Sequence, residues 1–145
     1  MSKKVRRVMG LDVGTKTIGV AVSDPLGLFA QPDRTLSRKG VKQDVARIAR
    51  LAEQREVEVM VVGLPYELDG TEARSARLAR QIGQALIDGG WTVAYVDERY
   101  SSVQAERSLI AQGQSRAKRK AVIDQAAAAI ILQSYLDHGS AVAEE

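Results

Sequence analysis

The sequence predicts an α/β fold, a single mixed sheet covered by helices on both faces, and three observations carry that expectation. The apolar pattern switches repeatedly between a period of two and a period of 3.6 residues. Two strand-like stretches stand at the front with only a short turn between them, so the sheet opens with antiparallel pairing. Strand-like and helix-like segments then alternate, the order that produces parallel pairing through helical crossovers. The 145 residues suit one domain, expected over 1–138, with a short polar tail over 139–145.

Taken in order, residues 7–14 alternate, with Val8, Gly10 and Asp12 on one face and Met9, Leu11 and Val13 on the other. Residues 14–17 form a turn and 18–22 a second strand. Pro25, Gly27 and Pro32 punctuate a loop before a weaker third strand near 33–37. Val41, Val45, Ile48 and Ala52 mark an amphipathic helix. The nearly continuous apolar run over 57–63, broken by Glu58, suits a buried central strand. Ala76, Ala79, Ile82 and Leu86 define a second helix, closed by Gly89-Gly90, and 91–96 another strand. Ser101 and Gln104 resemble a capping box that opens a third helix, stopping near Gly113. A final helix is expected from about Arg119 to Leu136.

Composition narrows the function classes. Hydrophobic residues make up 45% of the chain and charged residues 27%, enough for both a core and a solvated surface. No apolar run reaches the roughly 20 residues of a membrane helix. Lys3, Lys4, Arg6 and Arg7 look like the front of a signal peptide, but Asp12, Lys16 and Asp24 interrupt the apolar stretch that would have to follow, so a cytoplasmic location is expected. The absence of cysteine excludes a thiol nucleophile and thiolate zinc ligands. Net charge is +3, and basic residues cluster at the N-terminus and at Arg116, Lys118, Arg119 and Lys120, a distribution compatible with nucleic acid.

The informative acids are those that interrupt apolar segments. Asp12 lies inside the first strand, Asp97 and Glu98 end the strand that begins near Trp91, and Asp124 sits in the last helix before a largely apolar stretch. A carboxylate in such surroundings must be paired, hydrogen-bonded or bound to a cation; singly, each is more often a structural acid. Asp124 shares a helix face with Ala127, Ala128 and Ile131, and the two alanines let that helix approach a sheet closely. The fold can therefore converge carboxylates from distant parts of the chain. Hard oxygen ligands without cysteine or a histidine pair favour Mg2+ or Mn2+, and two such ions can activate water and stabilise the leaving oxygen of a phosphodiester. Gly14 and Gly19 flank Thr15-Lys16-Thr17; glycine lets backbone come near a ligand, and Lys16 offers a point charge to a phosphate.

Four blocks in order resemble one known family. They are Gly10-Leu11-Asp12-Val13-Gly14-Thr15-Lys16 with Ile18-Gly19-Val20-Ala21-Val22-Ser23-Asp24; Val62-Gly63-Leu64-Pro65 with Asp69-Gly70; Val96-Asp97-Glu98-Arg99 with Ser101-Ser102; and Lys118-Arg119-Lys120 with Ile123-Asp124 and the segment from Ala126 to Leu136. Together they resemble the YqgF family, also called RuvX, whose members are described as pre-16S rRNA nucleases and as Holliday-junction-resolvase-like. The resemblance implies a ribonuclease H-like fold, a five-stranded mixed sheet with its first three strands antiparallel. It also implies metal-dependent phosphodiester hydrolysis leaving a 5′-phosphate and a 3′-hydroxyl, on precursor rRNA or branched DNA, by a monomer or a homodimer. By position Asp12 matches the first catalytic aspartate, Glu98 the acid of the Asp-Glu-Arg motif and Asp124 the acid of the last helix, and these three would ligate the metal. Asp97 is a candidate fourth acid, although on an alternating strand Asp97 and Glu98 face opposite ways. Lys16, Arg99, Arg116, Lys118, Arg119 and Lys120 would hold the nucleic-acid backbone. The chain departs from the family at Thr17, where many members carry arginine, and it has no carboxylate after the fourth strand until Glu67.

Two other classes compete. A non-catalytic nucleic-acid-binding factor in transcription or ribosome assembly fits the basic clusters equally well, but leaves buried acids that would repel phosphate. Asp12-Val13-Gly14-Thr15 also resembles the phosphate loop of the actin and sugar-kinase superfamily, whose nucleotide cleft is built from two such domains where this length supplies one.

Overall fold

In the computed structural model, which describes residues 7–65, 74–98 and 116–138, five strands form one sheet in the order β3-β2-β1-β4-β5. β1 (Arg7–Val13), β2 (Thr17–Ser23) and β3 (Ala30–Ser37) pair antiparallel. β4 (Val57–Leu64) and β5 (Thr92–Asp97) extend the sheet in parallel from the other side of β1. The described helices are α1 (Val41–Gln54), α2 (Arg74–Asp88) and α3 (Arg116–His138). The helix expected over 101–113 lies outside the described residues.

Alternation along β1 sorts the core into two layers. Met9, Leu11 and Val13 pack with Ile48 and Ala52 of α1 and with Ala76, Ala79, Ile82 and Leu86 of α2. Val8 packs on the other face with Val61 and Val96 against Ala127, Ala128, Ile131 and Leu132 of α3. Helices therefore cover both faces, as the alternating pattern implies. Two boundaries differ from expectation. Pro32 lies inside β3 rather than before it: β3 is an edge strand, and the register slips there so that Val20 faces Arg34 and Ala21 faces Pro32, the sort of edge bulge that accommodates a residue without an N–H. α3 is already helical at Arg116, ahead of the expected start, because its first described turns hold Arg, Ala and Lys, good helix formers that carry no apolar periodicity.

α3 sits on the sheet with little between the two backbones. A Cβ added to Gly10 would stand 2.7 Å from Cβ of Leu132 and 2.8 Å from the Ala128 carbonyl oxygen. One added to Gly19 would overlap the main-chain carbonyl of Asp124. Gly19 thus serves helix packing, a different use from the ligand approach that its place beside the first turn suggests.

A buried ionic knot holds the start of α1. Asp44 is fully buried; its Oδ2 accepts from Nε of Arg38 at 2.6 Å, and its Oδ1 accepts from the Lys39 N–H at 2.9 Å and from Nη2 of Arg47 at 2.7 Å. Burial pushes the Asp44 carboxyl up, but the hydrogen bonds from Arg38, Lys39 and Arg47, with the Arg38 charge, outweigh it and hold the group below its usual value. The folded chain then binds this proton less tightly than the unfolded chain. The stabilising contribution is complete above the unfolded value of about 4 and disappears as pH falls through the lower folded value. Acid titration followed by circular dichroism should show wild type losing stability over that interval. Asp44→Asn should start from lower stability at neutral pH and show a flatter acid limb; an identical limb in both proteins contradicts this account.

No helix among the described residues is long and apolar enough to cross a membrane.

Candidate active site

Asp12 is the next-to-last residue of β1, and alternation with Leu11 turns it toward α3. Glu98 follows the end of β5. Val93 and Tyr95 pack into the α1/α2 layer and Val96 into the α3 layer, so the next residue on the α3 side is Glu98, and its Oε2 lies 3.1 Å from the position a Cβ on Gly63 would take. Asp124 stands on α3 one turn before Ala127 and Ala128, where the helix backbone meets Gly19. All three carboxylates are buried, with 8%, 4% and 8% exposure for Asp12, Glu98 and Asp124.

These three side chains line one cleft of about 330 Å³, with Gly14, Thr15 and Thr17 of the β1–β2 turn, Pro65 after β4, Ser75 of α2 and Ile123 of α3. Asp97 is also buried, yet it is absent from the cleft wall; alternation places it on the α1/α2 side. Among the described residues no three acids or imidazoles stand as a ready-made metal centre. The cleft gathers the carboxylates without closing them into a finished ligand set. Their chemistry, hard oxygen donors with neither sulfur nor imidazole among the cleft-lining residues, fits a hard divalent cation.

The turn is built to support this wall. The Gly14 N–H donates to the Thr17 carbonyl at 2.8 Å, and the Thr17 hydroxyl donates to Oδ2 of Asp124 at 2.5 Å across 107 residues. Sequence reasoning treats Thr17 only as the place where a family arginine is missing; a hydroxyl beside a glycine turn is a weak signal, and its partner is remote in sequence. Thr17→Val, which keeps the shape and removes the donor, should lower stability by about 1.5–3 kcal/mol, the usual worth of a hydrogen bond to a charged group. Urea titration checks this, and a shift under 0.5 kcal/mol would mean that the bond contributes nothing.

Among the expected nucleic-acid contacts, Lys16 is exposed at the tip of the turn, beside the cleft but not in its wall. Arg116, Lys118, Arg119 and Lys120 fall on the first turns of α3, at the end of that helix which also carries Asp124. Arg99 lies outside the described residues.

An antiparallel β3-β2-β1 meander continued in parallel by β4 and β5, with helices on both faces, is the ribonuclease H-like fold. Solved structures share the fold. The T. thermophilus RuvC in complex with a Holliday junction substrate matches with a TM-score of 0.59 at 18% identity, covering 96% of this chain and 98% of that one. The fowlpox virus Holliday junction resolvase matches with a TM-score of 0.53 at 14% identity, covering 90% and 97%. The family model for RuvX, described as Holliday junction resolvase, matches residues 6–138, and the chain belongs to that family. Among its relatives, a Myxococcus xanthus protein named "Putative pre-16S rRNA nuclease" is 50% identical over 132 residues, 90% of this chain and 87% of that protein. A Clostridioides difficile protein of the same name is 46% identical over 132 residues, covering 90% and 94%.

Proposed function

We propose that this protein is a divalent-metal-dependent nuclease that hydrolyses phosphodiester bonds in structured nucleic acid, and that it matures the 5′ end of precursor 16S rRNA in the cytoplasm. The observation that carries the reading is the meeting of three buried carboxylates, Asp12, Glu98 and Asp124, from two strand ends and a helix in the wall of one cleft. The names of the relatives support the RNA substrate. The family description supports a second reading, cleavage of four-way DNA junctions.

Asp12, Glu98 and Asp124 would hold Mg2+ or Mn2+, which supplies Lewis-acid stabilisation of the phosphoryl oxygens and activation of the attacking water. Thr17 fixes one oxygen of Asp124 by its hydroxyl and so orients that carboxylate in the cleft wall. Lys16, exposed at the rim, offers charge to an incoming phosphate. Arg116, Lys118, Arg119 and Lys120 on the first turns of α3 would add the positive charge that a polyanion requires, and Arg99 belongs to the same role. Cutting a junction on two strands calls for two copies arranged by symmetry, whereas trimming one end needs a single copy.

The test is a side-by-side cleavage assay in Mn2+ with a precursor rRNA 5′ end and a four-way DNA junction, with Asp12→Asn as control. Cleavage of the rRNA end alone supports maturation, cleavage of the junction alone supports resolution, and cleavage of neither under metal titration overturns the nuclease reading.

A further inference from the structure

The fully buried carboxylate of Asp44 belongs to no part of the cleft wall, yet its hydrogen-bond chain ends there. Asp44 accepts from Nε of Arg38 at 2.6 Å. The same guanidinium donates from Nη1 to the carbonyl oxygen of Gly14 at 2.8 Å, and the Arg38 main-chain N–H donates to the carbonyl oxygen of Lys16 at 2.8 Å. Gly14 lies two residues after Asp12 and lines the cleft. The turn is then closed by the Gly14 N–H on Thr17, whose hydroxyl reaches Asp124. An unbroken series of hydrogen bonds therefore runs from the first turn of α1 to an acid of the cleft, with Arg38, its side chain 12% exposed, as the link.

We propose that Arg38, held by Asp44, is a positioning residue for the acidic cleft: its guanidinium clamps the 14–17 turn so that Thr17 presents its hydroxyl to Asp124 and Lys16 is carried at the rim. The proposal rests on the nuclease reading of this cleft. A purely structural role would need only the ion pair with Asp44, which secures α1 after a Gly40 N-cap that makes no side-chain capping bond. The planar fork of arginine does more, because one edge meets the carboxylate while the far nitrogen reaches Gly14. Lysine can keep the charge beside Asp44 but cannot span both partners. Arg47 supplies the internal comparison: it also binds Asp44, and its other contact is the Ser37 carbonyl at 2.5 Å, on β3 and away from the cleft.

The experiment compares Arg38→Lys with Arg47→Lys in the full chain. Four quantities are read: melting temperature, hydrogen exchange at the Gly14 amide, Mn2+ affinity of the protein alone by electron paramagnetic resonance, and single-turnover cleavage. Arg38→Lys should exchange the Gly14 amide about tenfold faster than wild type, bind Mn2+ more weakly and cleave roughly ten- to a hundredfold more slowly at saturating substrate, the scale of a small misplacement at a reacting centre. Its KM should stay within about twofold and its melting temperature close to that of Arg47→Lys. Arg47→Lys should leave Gly14 exchange, metal affinity and cleavage at wild-type values. Wild-type exchange and cleavage in Arg38→Lys, or equal loss of cleavage in both variants, overturns the proposal. Should Arg38→Lys not fold, Asp44→Asn, which keeps an oxygen for Arg38 and removes the charge, carries the same readouts in the same direction. The Gly14 exchange result stands apart from catalysis, so a wild-type protein that cleaves neither substrate would remove the nuclease reading while Gly14 exchange still decides the clamp.

Discussion

Asp12→Asn is expected to abolish metal-dependent cleavage while leaving nucleic-acid binding nearly intact. The substitution keeps the size and one oxygen of the side chain, so the β1 end and its packing against α3 should persist. It removes a full negative charge from a site where exposure is only 8%. A buried anion attracts a divalent cation far more strongly than a surface one does, because little water screens it. Loss of such a preorganised charge partner should slow the chemical step by at least about a hundredfold. Phosphate contacts from basic residues are separate from this acid, so polyanion binding should largely persist. Single-turnover cleavage in Mn2+ and a binding titration, run on the same preparation, check both halves. Undiminished cleavage would show that Asp12 takes no part in the chemistry.

The second large effect is expected from one methyl group. Gly19→Ala places a Cβ on the main-chain carbonyl of Asp124, where no side-chain rotation can relieve the overlap, so α3 must move off the sheet. Overpacking of this kind costs about 3 kcal/mol, which for a domain of this size lowers the melting temperature by roughly 10 °C. Activity should fall further than stability explains, because the helix that moves carries Asp124. Gly89→Ala is the matched comparison: its Cβ would meet nothing closer than 3.5 Å, and the melting temperature should hardly change. Equal melting temperatures for the two variants would mean that the close approach of α3 is not needed.

The order of elements was legible because period-two and period-3.6 patterns are local properties, and β1, β4 and α2 carry them without ambiguity. Asp12, Glu98 and Asp124 were legible for a related reason: each breaks an apolar segment, and the family resemblance matches the same three positions. Asp97 and Glu98 separated only once the faces of β5 were fixed, since alternation says that they differ and not which one meets α3. Asp44 escaped notice because it sits among charged neighbours on an amphipathic helix, where an acid looks like ordinary solvated surface; its burial depends on Arg38 and Arg47 folding over it. The glycines of the sheet were legible as glycines, but Gly10 and Gly19 acquire their meaning from a helix more than a hundred residues later. The strand order was beyond reach, since local pattern is silent on which strands become neighbours.

The Thr17–Asp124 contact joins the second strand to the last described helix. During synthesis α3 leaves the ribosome after every other described element, so β1 to β5 can pair while the cleft still lacks one wall. Closing a loop of that length is slow relative to the local steps before it. The acidic cleft can be completed only once α3 has been made, and a growing chain carries Asp12 for most of its synthesis before Asp124 is added.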